Sequence, residues 1–155
     1  MELKKNYIDI NDTLRHIKMQ IQDGIPYAKK NVPELNTPEK CFWWLKRRIT
    51  YKNDPKNIEL LQSLPTLLEN NYHKISGAGD CDCFTIAICS ILIANGFNNV
   101  KICLVGRKKS VPVHIYVCIY DRGERKVLDL TNAKPLMERS YPYIQELPLN
   151  WKRWN

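Results

Sequence analysis

Gly77-Ala78-Gly79-Asp80-Cys81-Asp82-Cys83-Phe84-Thr85-Ile86-Ala87-Ile88-Cys89-Ser90-Ile91-Leu92-Ile93-Ala94-Asn95-Gly96 is the stretch from which the rest of this chain can be read. Two glycines lead into a polar Asp-Cys-Asp step. From Phe84 to Ala94 nearly every residue is apolar, and Asn95-Gly96 is a helix stop signal. A helix apolar almost all round is a central, buried one. Its first residue is Cys81. Unpaired amides and the positive end of the helix dipole favour a thiolate there, and the same amides suit the oxyanion of an acyl intermediate. Cys81 is therefore the candidate nucleophile. Cys83, two residues on, points about 200° away around the helix and belongs to the packing.

Upstream the pattern is helical. Asn11 or Asp12 can cap a helix carrying Leu14, Ile17 and Ile21 at helical spacing, and residues 24–36, with Gly24 and Pro26, predict a connection. Thr37-Pro38-Glu39 is a helix start, followed by the stripe Cys41, Phe42, Trp44, Leu45 and Ile49. Asp54-Pro55 repeats that signal before Ile58, Leu61 and Leu64, and Pro65 predicts the end of that helix. Residues 70–79 predict a loop.

Downstream the periodicity changes to strands, over residues 100–105, 113–120 and 126–131. Helices, then a buried helix, then an antiparallel sheet make an α+β fold. One domain spans 1–155, with a helical extension at 1–36, a core at 37–131 and a tail at 132–155. The tail's aromatic residues are expected to fold back onto the domain.

A cysteine nucleophile needs a base. His16 falls in the first helix and His73 in the polar loop, whereas His114 sits in an apolar strand, where an imidazole is costly without a partner. Arg122-Gly123 suits a two-residue hairpin turn, with Gly where a positive φ is wanted. Counting down from that turn pairs Asp121 with Glu124, Tyr116 with Asp129 and His114 with Thr131. His114 and Asp129 are then diagonal neighbours on one face, with Cβ atoms about 7–8 Å apart or somewhat less. An imidazole leaning toward the carboxylate closes that gap. Asp129 is the only acid in its strand.

Gly79-Asp80-Cys81-Asp82 opening an apolar helix, then His114-Ile115-Tyr116-Val117, then Leu128-Asp129-Leu130-Thr131, resembles the transglutaminase-like superfamily in order and spacing. The chain is most similar to small phage and bacterial members. These carry a segment like Ile49-Thr50-Tyr51-Lys52-Asn53-Asp54-Pro55 and then one like Glu59-Leu60-Leu61-Gln62-Ser63-Leu64-Pro65. The resemblance covers about residues 41–131. It implies a papain-like α+β core with Cys81 as nucleophile, His114 as base and Asp129 as orienting acid. It also implies attack on a peptide or protein amide through a thioester, with no metal or organic cofactor. Relatives often carry a second acid where this chain has Cys83.

Hydrolysis is expected ahead of transamidation, because a single domain shows no apparatus for excluding water and admitting lysine. Phage structural proteins are expected partners, and the location is expected to be cytoplasmic or in a virion. Two alternatives stay open: a cross-linking transglutaminase, and a non-catalytic structural or interaction protein of the same fold.

Composition narrows the field further. The chain has 155 residues, 44% of them hydrophobic and 26% charged, which suits one soluble domain. No stretch approaches the roughly 18 consecutive apolar residues of a membrane span, and no apolar signal core follows the basic start. The net charge of +8 is spread over separate clusters, Lys29-Lys30, Arg47-Arg48, Arg107-Lys108-Lys109 and Lys152-Arg153. None forms a nucleic-acid motif, and a solvated basic surface is expected. Arg107-Lys108-Lys109 precedes the His114 strand and is expected at the cleft mouth, favouring acidic or C-terminal-carboxylate substrates. Cys41, Cys89, Cys103 and Cys118 lie in apolar runs, as free cysteines do in a reducing compartment. A zinc set of Cys81, Cys83, Cys103, His114 and Cys118 lacks any Cys-x-x-Cys pair. Residues 77–80 lack the Lys-Ser/Thr ending of a phosphate loop.

Overall fold

The computed structural model describes residues 2–4, 10–109 and 111–149. The apolar stretch is helix α4 (Cys81–Ala94), with every residue from Cys83 to Leu92 buried. Helix α1 (Ile10–Asn31) lies along it, and α2 (Pro38–Lys46) and the short α3 (Leu64–Leu68) complete a helical layer. On the other side stands an antiparallel sheet of β5 (Val100–Gly106), β6 (His114–Asp121), β7 (Glu124–Leu128) and β8 (Tyr143–Pro148), ordered β7-β6-β5-β8. Two small pairings remain. Strand β1 (Glu2–Lys4) runs antiparallel to β3 (Ile58–Leu60), and β2 (Thr50–Tyr51) runs parallel to β4 (Ala78–Gly79). The α+β class expected from the sequence is the one observed.

One apolar core joins Ile17 and Ile21 of α1, Phe42 and Leu45 of α2 and Ile88 and Leu92 of α4 to Ile102, Val117 and Leu128 of the sheet. A second, smaller cluster on the opposite face holds Cys103, Val105, Tyr116, Cys118 and Val127, packed under Tyr120 and Tyr141. Strand β6 is therefore buried on both faces from Ile115 to Ile119, which is why it reads as a continuous apolar run rather than an alternation.

Several local signals act as expected. Thr37 caps α2, its Oγ1 accepting from the Lys40 N–H at 3.1 Å. Gly96, with φ +83°, follows the end of α4. Arg122 and Gly123 both have positive φ, 52° and 82°, the combination a two-residue hairpin turn of matching twist requires.

Three expectations need correction. The first helix does not stop at Gly24 but runs through Pro26 to Asn31. A Cβ on Gly24 would stand 2.5 Å from Ser90 Oγ, so the missing side chain lets α1 cross close to α4. Ala28 then continues the buried stripe of Ile17 and Ile21. Packing along α4 outweighs the roughly 3 kcal/mol an interior proline costs.

Asp54-Pro55 opens no helix either. Asp54 Oδ2 accepts the Leu60 N–H at 2.9 Å, Asn57 takes φ 63°, and the chain enters β3. Pro65 starts a helix instead of ending one, in the first turn of α3 behind its cap Ser63. The third correction is β8, a strand the half-exposed, proline-flanked tail did not announce. The tail does fold back. Arg125 reaches Glu138 at 2.8 Å and Glu146 at 3.5 Å, and the Tyr116 and Tyr120 hydroxyls donate to the same two carboxylates at 2.6 and 2.9 Å. Trp151 and Trp154 of the tail lie outside the described residues.

All six cysteines are free, and five of them are buried; Cys81 is the partly exposed one. Among the described residues no helix is long and apolar enough to cross a membrane.

Candidate active site

Asp80 places the start of α4. Its Oδ1 accepts from the N–H groups of Asp82 at 3.2 Å and Cys83 at 3.4 Å, a helix cap that leaves the Cys81 N–H, the first of the helix, outside it. The approach to this cap is held by backbone. Thr50 N–H donates to Gly77 O at 3.0 Å and Lys52 N–H to Gly79 O at 2.8 Å, so β2 runs beside the residues that deliver Cys81. Gly77 has φ +81°, and a Cβ there would lie 1.9 Å from the Arg48 carbonyl oxygen. Only glycine fits. Cys83 is fully buried, its Sγ donating to the Leu60 carbonyl at 3.1 Å.

Across the cleft, His114 Nε2 and Asp129 Oδ2 are 2.7 Å apart. Asp129 is buried, and its other oxygen accepts from the Thr131 N–H at 3.0 Å and the Thr131 hydroxyl at 2.7 Å. Burial pushes the Asp129 carboxyl up, but the His114 bond and charge and the two Thr131 donors outweigh it and hold the group below its ordinary value. The ladder between β6 and β7 runs from Asp121↔Glu124 to Val117↔Leu128. Continuing that register sets Tyr116 beside Asp129, as the hairpin count predicts. With Nε2 on Asp129, Nδ1 is the imidazole nitrogen left for the cleft.

Cys81 and His114 line one cavity of about 550 Å³, shared with Tyr51, Asp54, Glu59 and Asp82. A second cavity of about 390 Å³ continues past His114 and is lined by Lys46, Thr131, Arg139 and Tyr141. Tyr51, Val113 and His114 belong to both. The two cavities adjoin along Tyr51, Val113 and His114, with acids lining the Cys81 side and Lys46 and Arg139 the other.

The charges around the thiol oppose its ionisation at rest. Burial pushes Cys81 up, and Asp82 and Asp80 push it further, against an Ile115 backbone N–H directed at the sulfur. This corrects the simplest expectation for a helix N-terminus, because the dipole here acts alongside two acids and a desolvated site. An imidazolium within about 4 Å of a thiolate would return roughly 4 kcal/mol at an effective dielectric of 20. Asp82 is itself held well above the ordinary carboxylic acid range, by burial first, then by a hydrogen bond to Glu59 and the charges of Asp80, Glu59 and Asp54. Among the described residues no group of three or more His, Cys, Asp or Glu side chains is placed to hold a metal ion. The carboxyls beside Cys81 are engaged with a helix cap, with the Leu60 N–H and with one another.

Of the three residues expected at the site, Cys81 and His114 line one cavity and His114 bonds Asp129. The other two histidines lie elsewhere, His16 on α1 and His73 in the turn before Gly77. The cluster Arg107-Lys108-Lys109 does not line the cleft; Lys46 and Arg139 supply its basic side. Neither was singled out, since each acquires meaning only when α2 and the tail meet the sheet. Tyr51 lies in the segment that carries the family resemblance, which was its one signal.

No family model matches this sequence, and no curated protein does. Solved structures are similar to it. Calcium-bound LapG of Legionella pneumophila superposes with a TM-score of 0.55 at 16% identity, covering 90% of this chain and 82% of that one. EGTA-treated LapG gives 0.54 at 17% identity, covering 90% and 80%. The likeness is one of fold, the transglutaminase-like fold. It does not reach the phage and bacterial subgroup.

Proposed function

We propose that this protein is a cysteine peptidase or amidase that cleaves a peptide or protein amide bond through a Cys81 thioester. The observation carrying this reading is that Cys81, at the free amide end of α4, opens into the same cleft as a His114 bonded to a buried Asp129 at 2.7 Å. The likeness in fold to LapG, a cysteine protease of the transglutaminase-like family, supports it.

In the mechanism His114 Nδ1 takes the thiol proton as Cys81 Sγ bonds to the amide carbonyl carbon, and the carbonyl oxygen becomes an oxyanion facing the Cys81 N–H. Asp129 holds the imidazole in one orientation and offsets its positive charge. As the oxyanion collapses, the C–N bond breaks and His114 gives its proton to the leaving amine, leaving a thioester. Water, deprotonated by His114, attacks that thioester. The carboxylic acid leaves and Cys81 recovers its proton. The open cleft admits water to this step, which favours hydrolysis over transfer to a second amine.

The leaving amine must pass His114, and the cavity past His114 is the one bearing Lys46 and Arg139. A carboxylate on the leaving-group side of the scissile bond is the substrate feature that fits. Lys46→Ala combined with Arg139→Ala is expected to raise KM for peptides acidic on that side and leave neutral peptides unaffected.

The functional reading is tested with p-nitrophenyl acetate. The expected result is a burst of nitrophenolate equal to the protein present, with the acetyl group on Cys81 by mass spectrometry, absent in Cys81→Ala and strongly slowed in His114→Ala. Acetylation spread over surface lysines, with no burst, would sink the reading.

A further inference from the structure

The Cys81 N–H supplies one oxyanion donor, and a carbonyl held between a thiolate and its base needs a second. We propose that Tyr51 is that donor, a catalytic residue whose hydroxyl binds the oxyanion from the side of the cleft opposite His114. The proposal rests on the reading of Cys81 as the acyl-forming nucleophile and adds the group that stabilises its tetrahedral intermediate.

Four observations converge on Tyr51. Its backbone is registered on the nucleophile's own approach: Tyr51 pairs with Gly79, two residues before Cys81, and the flanking N–H groups of Thr50 and Lys52 bond to Gly77 and Gly79. Its ring lies edge-on to Phe84, one turn into α4, with centroids 6.1 Å apart. The backbone pairing and the Phe84 contact hold Tyr51 beside α4 although half of the residue, 52%, is exposed. Third, Tyr51 lines both cavities, as His114 and Val113 do, so it stands where the Cys81 side meets the Lys46 and Arg139 side. Finally, burial first, and then the charges of Cys81, Asp80, Asp82 and Asp54, push the Tyr51 hydroxyl above its ordinary pKa and keep it a protonated donor.

The chemistry selects this role over the others a cleft tyrosine can take. A phenol among acids and a thiol is poorly suited as a base, since burial and the charges of Asp80, Asp82 and Asp54 oppose losing its proton. It has a use where negative charge appears transiently, on the carbonyl oxygen of the substrate. A tyrosine that merely shields the thiol would need its ring and not its hydroxyl, which makes the hydroxyl the atom to remove.

Tyr51→Phe keeps the ring and its Phe84 contact and deletes only the donor. Two reagents then separate the roles on the same sulfur. p-Nitrophenyl acetate acylates Cys81 through a tetrahedral oxyanion; iodoacetamide alkylates it by displacing iodide, with no oxyanion. Loss of one such donor is expected to slow acylation by about 100-fold, the lower end of the range for oxyanion-hole deletions, and to leave alkylation within about twofold. Equal slowing of both reactions would make Tyr51 a group that tunes the thiol, and no slowing of either would make it a wall; both overturn the proposal. Far-UV circular dichroism and the melting temperature check that the variant is folded, and Tyr51→Leu, which also removes the ring, must slow acylation at least as much. If wild-type protein shows no Cys81-dependent acylation, the functional reading fails and this proposal with it. If wild type is acylated and Tyr51→Phe is acylated equally fast, only the proposal fails.

Discussion

Both carboxylate oxygens of Asp129 are engaged at the site: one holds His114, the other accepts two donors from Thr131. A carboxylate so fixed can orient an imidazole without becoming mobile itself. Asp129→Asn preserves the shape but offers an amide where a carboxylate was required, so acylation of Cys81 is expected to fall by about 100-fold or more while the fold persists. Burst kinetics measure this; a rate within a few-fold of wild type would mean that His114 needs no acid. At this scale the sequence was legible wherever a local rule fixed the geometry. The two-residue turn at Arg122-Gly123 sets the register, and the register sets His114 against Asp129. Tyr51, Lys46 and Arg139 were not legible, because their meaning depends on chain segments that meet only in the folded molecule.

At the scale of elements, the N-terminal end of α4 is held by glycines with no room for a side chain. Gly77→Ala puts a Cβ against the Arg48 carbonyl in a left-handed conformation. It is expected to cost about 2–4 kcal/mol in urea unfolding and to slow Cys81 alkylation in whatever folded protein remains. A variant as stable as wild type would show that this approach is not rigid. Helix caps and stop signals were readable here because each is decided within a few residues, as at Thr37 and Gly96. The run of α1 through Pro26 and the strand at Ile58–Leu60 were not. In the first case packing against Ser90 and the core overrides propensity; in the second a side-chain bond from Asp54 replaces a helix start.

For the molecule as a whole, two carboxyls give opposite pH signatures. Asp129 is held below its unfolded value of about 3.9, so its contribution to stability is present above that pH and is lost as pH falls through the folded value. Asp82 is held above it. Its contribution is present below about pH 3.9 and is lost as pH rises through the raised value, where the folded state must bury a charge beside Glu59 and Asp80. Asp82→Asn removes the second dependence. Urea unfolding between about pH 4 and 8 is expected to show the variant gaining on wild type as pH rises. A constant difference across that range would mean that Asp82 ionises in the folded protein as it does in the unfolded chain. The α+β class was legible because the apolar helix and the strand run differ in period. The fourth strand was not, since its anchors are Glu138 and Glu146 on Arg125, an ion-pair arrangement with no sequence period.

Ionisation of Cys81 against its burial and the neighbouring acids Asp82 and Asp80 is the step on which the account stands. Iodoacetamide alkylation, followed site by site with mass spectrometry from about pH 4 to 9 on wild type and His114→Ala, tests it directly. The other five cysteines are buried, so the reference is a free thiol with a pKa of about 8.5. The account predicts that below about pH 7 Cys81 reacts at least roughly tenfold faster than that reference, and that His114→Ala removes the advantage. Reaction no faster than the free thiol, unchanged by His114→Ala, would contradict it.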